Sequence, residues 1–177
     1  MLNDEMKDER GISLFIIRGI HYSWHSMLVL LALGCNPNST RPPQLMPVTG
    51  AVRVDVALPP DLATQELADQ LVVDTFPVTV VQLEDGYLET PWFDALTGTA
   101  TGDRPLGPEI VRLRAWIDPG APRHSHLTVE LVFRPLADPS RPERQLDQQV
   151  PNDHPAAIRL GRAIEAVTAR YPARTGH

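Results

Sequence analysis

Cysteine is nearly missing from this chain: Cys35 stands alone among 177 residues. A lone thiol excludes an internal disulfide and any zinc site built from several cysteines. Lysine is as scarce, with Lys7 the sole example, and no block of arginines takes its place. The net charge is −6, so nothing here is built to neutralise a phosphate backbone, and no nucleic-acid partner is expected. No apolar run approaches the ~20 residues that a membrane-spanning helix needs. No repeat recurs at solenoid spacing. Catalytic signatures are missing too. There is no G-x-S-x-G and no HExxH helix, and the glycine-containing stretch GTATGDRPLG lacks the lysine of a phosphate-binding loop. No cofactor is expected. Proline, by contrast, is plentiful at 18 residues, and most of it falls between periodic segments, where it marks loops.

What the N-terminal part does contain is a short apolar run, Ser26 to Gly34, ending Ala32-Leu33-Gly34-Cys35. Its length suits the core of an export signal, about 7–15 apolar residues before small ones. The order at its end resembles the lipobox of bacterial lipoproteins. There a small residue precedes a cysteine that receives diacylglycerol and becomes the new N-terminus. Behind it, NPNSTRPPQLMP (residues 36–47) has no hydrophobic period and the Pro, Asn, Ser and Thr content of a flexible tether. The opening MLNDEMKDER is acidic where a signal is basic, and Arg18, His21 and His25 supply that basic side if translation starts downstream. The expected organisation is a signal over 1–34, an acylated cysteine and tether over 35–47, and one domain over 48–177. Asn36 is not the aspartate that holds lipoproteins in an inner membrane. By that analogy the periplasmic face of the outer membrane is the expected location, with the inner membrane as the alternative.

The domain itself reads clearly. VRVDVAL alternates, with Val52, Val54, Val56 and Leu58 on one face: a half-buried strand. Pro59 and Pro60 stop it, Asp61 is placed to cap, and Ala63, Leu67, Leu71 and Phe76 form the apolar face of a helix. Next comes a hairpin turning at Asp85-Gly86, expected as a type I′ turn, with Pro91 pushing its second arm toward an edge or bulge. IVRLRAWI and HLTVELVF are two further strands, and Leu127, Val129, Leu131 and Phe133 of the second face inward. A last helix, capped by Asp153 with Pro155 in its first turn, carries the stripe Ala157, Leu160, Ile164, Val167 and Tyr171. The fold expected is an α+β two-layer sandwich, a mostly antiparallel sheet of four to five strands with two helices on one face.

From the first helix to EDGYLETPWFD, the pattern of helix, strand, glycine turn and strand is similar to helix-grip domains. It resembles in particular the accessory lipoprotein of the outer-membrane β-barrel assembly machinery, with Leu88, Thr90 and Trp92 at the places of that family's short strand motif. The resemblance implies a domain that binds partners and catalyses nothing.

Two sets of residues are candidates for function besides Cys35. Tyr87, Trp92, Phe93 and Trp116, flanked by Arg112 and Arg114, are core on the ordinary reading. If they line an open face they make a partner-binding patch. His124 and His126, two apart at a strand start, can share a face and bind a metal with His154, although solvated surface histidines account for them as well. The reading carried forward is a non-catalytic binding or envelope-assembly module, held to the membrane by N-terminal acyl chains and meeting an envelope protein or a lipid-like ligand. The competing readings are a metal-dependent enzyme using the three histidines, and a cytosolic α+β domain with no lipid anchor.

Overall fold

In the computed structural model the described residues are 46–102 and 106–173. They belong to the second of two compact units, Pro43–His177. Cys35, the apolar run before it and most of the tether lie outside the described residues.

The domain is a two-layer α+β sandwich, as its sequence predicts. Strand β1 (Val52–Val56) leads to helix α1 (Pro60–Val73), and the short strands β2 (Val80–Gln82), β3 (Tyr87–Glu89) and β4 (Phe93–Asp94) follow. Two long strands, β5 (Gly107–Pro119) and β6 (Ser125–Arg134), form the centre. A 3-10 turn (Glu143–Leu146), strand β7 (Gln148–Gln149) and helix α2 (Pro155–Arg170) complete the order. Every pairing is antiparallel, and the main path runs β1-β6-β5-β3-β2. The sheet has seven strands where four to five were expected. The two extra members, β4 on β5 and β7 on β6, are two residues long, too short to show any alternation.

One face of the sheet carries the core. Across β5 and β6 the pairs Val111–Phe133, Leu113–Leu131, Ala115–Val129 and Ile117–Leu127 stack toward the helices. They pack on Ala63, Leu67 and Leu71 of α1 and on Ala156, Leu160, Ile164 and Val167 of α2. The helices run antiparallel: Arg170 at the end of α2 reaches Glu66 at 2.9 Å, while Arg159 near its start lies over the Phe76 ring just beyond α1.

Three local expectations differ from what forms, and a fourth, at Pro91, resolves to one of its two alternatives. Pro59, not Asp61, holds the cap position of α1, because Pro60 already occupies the first turn; Asp61 sits in that turn, where it favours the helix dipole. His154, not Asp153, caps α2, its Nδ1 accepting the Ala156 N–H at 3.2 Å. The hairpin is a four-residue connection, Leu83 to Gly86, with positive φ at Gly86 alone. There Gly86 accepts the Ile117 N–H at 2.7 Å, and a Cβ on it would collide with the Ile117 carbonyl oxygen. Pro91, expected to force an edge or a bulge, gives the bulge: the pairing with β5 slips by one residue between Glu89–Arg114 and Phe93–Val111. The Thr90 hydroxyl accepts the Leu113 N–H at 2.9 Å, and pairing with β5 resumes at Phe93.

A buried ionic face as the candidate functional site

Alternation sends the other half of β5 and β6 to the opposite face, and that half is polar. Glu89, Arg114 and Glu130 stand side by side in one row across β3, β5 and β6. Tyr87, Trp116 and Thr128 make the next row. Opposite charges facing each other across strands are favourable cross-strand pairs. Among the described residues no helix covers them. The 3-10 turn and Asp147, leading into β7, lie over this face together with Met46 to Val48, leading into β1. Both strands pair with the same edge of β6, and Arg144 is bonded to both segments.

The result is a closed network. Arg114 donates from Nη1 to Glu130 Oε1 at 3.0 Å and to Asp147 Oδ2 at 3.2 Å, and from Nε to Glu89 Oε1 at 3.1 Å. Glu130 is fully buried. Its second oxygen accepts from Arg144 at 2.7 Å and from the Val48 N–H at 2.9 Å. Asp147 also takes Arg134 at 3.2 Å and Arg144 at 3.3 Å. Glu143 pairs with Arg134 at 3.2 Å, and Arg112 with Glu89 at 3.3 Å. Four arginines thus meet four carboxylates. Burying charge is costly unless each ion is paired and its hydrogen bonds filled, and that condition is met at Glu130 and Asp147.

Electrostatics follow the geometry. Burial alone would lower the Arg114 pKa, but the Glu130 hydrogen bond and the charges of Glu130, Glu89 and Asp147 outweigh it and hold the guanidinium above its ordinary value. Arg112 goes the other way, lowered by burial and by repulsion from Arg114. The Tyr87 phenol is pushed up, first by burial and then by the hydrogen bond it donates to Glu89 at 2.7 Å. Trp92 adds an aromatic partner, with the guanidinium carbons of Arg112 and Arg134 lying 4.9 and 5.1 Å from its ring centre. The Nε of both arginines is buried without a hydrogen-bond acceptor, so the ring face is a compensating contact.

The six residues considered for a partner patch are therefore split and mostly covered. Phe93 lies in the helix-side core, edge-on to Phe76 at 5.8 Å. Trp92, Trp116 and Arg114 are buried on the ionic face, and only Tyr87 and Arg112 are half-buried. The aromatic set is not an open surface, because irregular chain covers the sheet where an exposed face was weighed. Of the motif Leu88, Thr90 and Trp92, the first packs in the core, the second replaces a strand hydrogen bond and the third stacks on arginines.

The histidines are not gathered either. His124 meets the Pro122 carbonyl, His126 pairs with exposed Asp55 at 2.6 Å, and His154 caps α2. Among the described residues no three of His, Cys, Asp and Glu are grouped to hold a metal, and no helix is long and apolar enough to cross a membrane.

Sequence reasoning missed Glu89, Glu130, Arg134, Arg144 and Asp147. One signal was present: two arginines on the polar side of IVRLRAWI and a glutamate on the polar side of HLTVELVF become neighbours once those strands form a hairpin. Nothing in RPERQLDQQ says that it returns over the same face. A separate apolar feature sits at the paired ends of the helices. Val72, Val73 and Ile158 are exposed there, with Leu96 in the loop whose Ala95 carbonyl accepts Arg159 at 2.6 Å. Leu96 is 73% exposed although Asp94 organises its turn, accepting the Leu96 and Thr97 N–H groups. No protein-family model matches the chain, and no curated protein matches it.

Proposed function

We propose that this chain is an exported bacterial lipoprotein, acylated at Cys35, whose Pro43–His177 unit is a non-catalytic binding or assembly module at the envelope. The observation that carries the reading is an order along the chain. Ala32-Leu33-Gly34-Cys35 closes an apolar run of signal size, a Pro- and Asn-rich stretch follows, and the compact unit begins at Pro43. A folded domain set directly behind such a stretch can hang clear of headgroups. The saturated network supports a structural role for the buried acids. Glu130 and Asp147 spend each carboxylate oxygen on an arginine or a backbone N–H, the arrangement of a group that holds chain segments in place. The exposed valines at the end of α1, with Leu96 and Ile158, offer apolar side chains to an envelope protein or lipid-like ligand. Outer-membrane placement, with Asn36 behind the cysteine, is part of the proposal.

The test is expression in a Gram-negative host with a clickable fatty acid in the medium, wild type beside Cys35→Ala. Label in the wild type alone, with membrane-fraction recovery and partition into detergent, is the expected result. Unlabelled, soluble wild type would overturn the reading.

A further inference from the structure

We propose that Glu130 and Arg144 form a clamp that ties the root of the tether to the middle of the sheet, so that a pull arriving from the N-terminal side loads β6 and β5 before it reaches β1. The proposal rests on the anchored reading of Cys35 for the origin of that pull; the clamp itself does not depend on acylation.

Among the described residues, strand β1 is the first strand that a pull from the N-terminal side meets. It is an edge strand, paired to β6 over five residues only, Val52 opposite Val129 to Val56 opposite Ser125. A force applied directly at Val52 would peel it away rung by rung, breaking one or two hydrogen bonds at a time. The chain does not enter β1 freely, however. Arg144 grips the Met46 carbonyl at 2.6 Å and Glu130 Oε2 at 2.7 Å, and the same Glu130 oxygen holds the Val48 N–H at 2.9 Å. Hydrogen bonds to ionised partners are about twice as strong as neutral ones. Glu130 lies in β6 and is bonded through Arg114 to β5, so the grip ends in the two longest strands.

The path between clamp and strand is shaped as well. The Ala51 N–H bonds back to the Val48 carbonyl at 3.2 Å. Gly50 takes φ +96 against the Gln149 side chain, a conformation that suits glycine and turns the chain from the ionic face into β1. The far end of β1 is held too, by the Ala57 N–H on the Tyr171 carbonyl at 3.0 Å and a bridge from Val56 to Pro172. An edge strand fixed at both ends leaves neither end free to start peeling.

Two readings of the full chain carrying Cys35→Ala, which has no acyl chain, test the clamp apart from the lipid. In amide exchange, Val48 is expected to be protected, and Arg144→Ala is expected to speed its exchange about tenfold or more, the factor implied by losing charge-assisted hydrogen bonds. Amides of β5 and β6 should keep their protection, which separates release of the root from general unfolding. In single-molecule pulling between the chain ends, Arg144→Ala is expected to add an early, low-force step with the length of β1. Glu130→Gln should do the same; if it fails to fold, the Arg144 variant alone decides. Fast exchange of Val48 in the parent, or unchanged exchange and force traces in Arg144→Ala, would overturn the clamp. Loss of acylation in the wild type would overturn the anchor and leave these results standing.

Discussion

The two faces of this sheet are made by the same two strands and held by opposite means. Toward the helices, Leu113 meets Leu131 and Ile117 meets Leu127, a contact that is non-directional and scales with the apolar area removed from water. One residue along, Arg114 meets Glu130 and Trp116 meets Thr128, under a cover of irregular chain rather than helix. Helices bring their own backbone hydrogen bonds and need only a greasy stripe to sit down. Met46 to Val48 has neither, and the segment around Asp147 brings only one 3-10 turn and a two-residue strand, so directional, charge-assisted bonds help to tell both where to lie. Buried ion pairs add little net stability over apolar packing, yet they can fix one arrangement among several. On this face the charges set position more than they add strength.

Substitutions can separate the two modes. The largest effect is expected at Glu130. Glu130→Ala takes from Arg114 and Arg144 one of the two carboxylates they share, leaving Asp147 as the other, and frees the Val48 N–H. Breaking a buried pair in this way costs about 3–5 kcal/mol, as much as the ~2–5 kcal/mol of Leu131→Ala next door. The comparison lies in the rescue. Replacing Arg114 and Glu130 together by Met and Leu removes one charge of each sign and is expected to return most of the loss in urea denaturation. No partner change refills the Leu131 cavity so simply. If the double replacement is as damaging as Glu130→Ala, the ionic face contributes more than position.

Gly86→Ala comes next. The hairpin end aims Tyr87 at one face and Leu88 at the other, and its glycine combines φ +58 with a close approach to the Ile117 carbonyl. Both faces lose alignment at once, so the unfolding free energy measured in urea should fall by more than the roughly 0.4–1 kcal/mol that Gly→Ala adds where the backbone tolerates it.

The smallest effect at neutral pH concerns Tyr87. Its phenol ionises above the ordinary 10.0, through burial and then the bond to Glu89. A group whose pKa is raised by folding contributes stability that is complete below its unfolded value and is lost as pH rises through the folded one. Stability should therefore decline above about pH 10. Ultraviolet titration of the folded protein should place this phenolate later than a free tyrosine, and Glu89→Gln should bring it closer. Titration at the ordinary value in the parent would remove Glu89 and burial as constraints on this ring.

How much of this was legible beforehand depends on the face. The helix-side core was, because Val54 to Leu58 alternate with period two and Leu160 to Tyr171 follow the helical period, and each period names its own buried side, although Val52, at the start of the edge strand, is left exposed. Local chemistry shifted the details by one residue, as when Pro60 moved the cap from Asp61 to Pro59. The ionic face was half legible. Arg112 and Arg114 fell correctly on the polar side of β5, but a polar side reads as solvent unless something covers it. Burial came from residues 143–149, which have no period, and from Met46 to Val48, which the sequence assigns to a tether's end. Long-range return of irregular chain leaves no local pattern, so the sequence leaves Trp92 and Trp116 between core, the ordinary reading, and an open patch, and does not show what covers them.

The central functional claim stands on Cys35, and the most direct measurement is the intact mass of the protein purified from membranes of a Gram-negative host. The account predicts a chain that begins at Cys35 and carries the added mass of acyl chains, with Cys35→Ala left unmodified. A wild type that keeps the residues before Cys35 and gains no mass would contradict it.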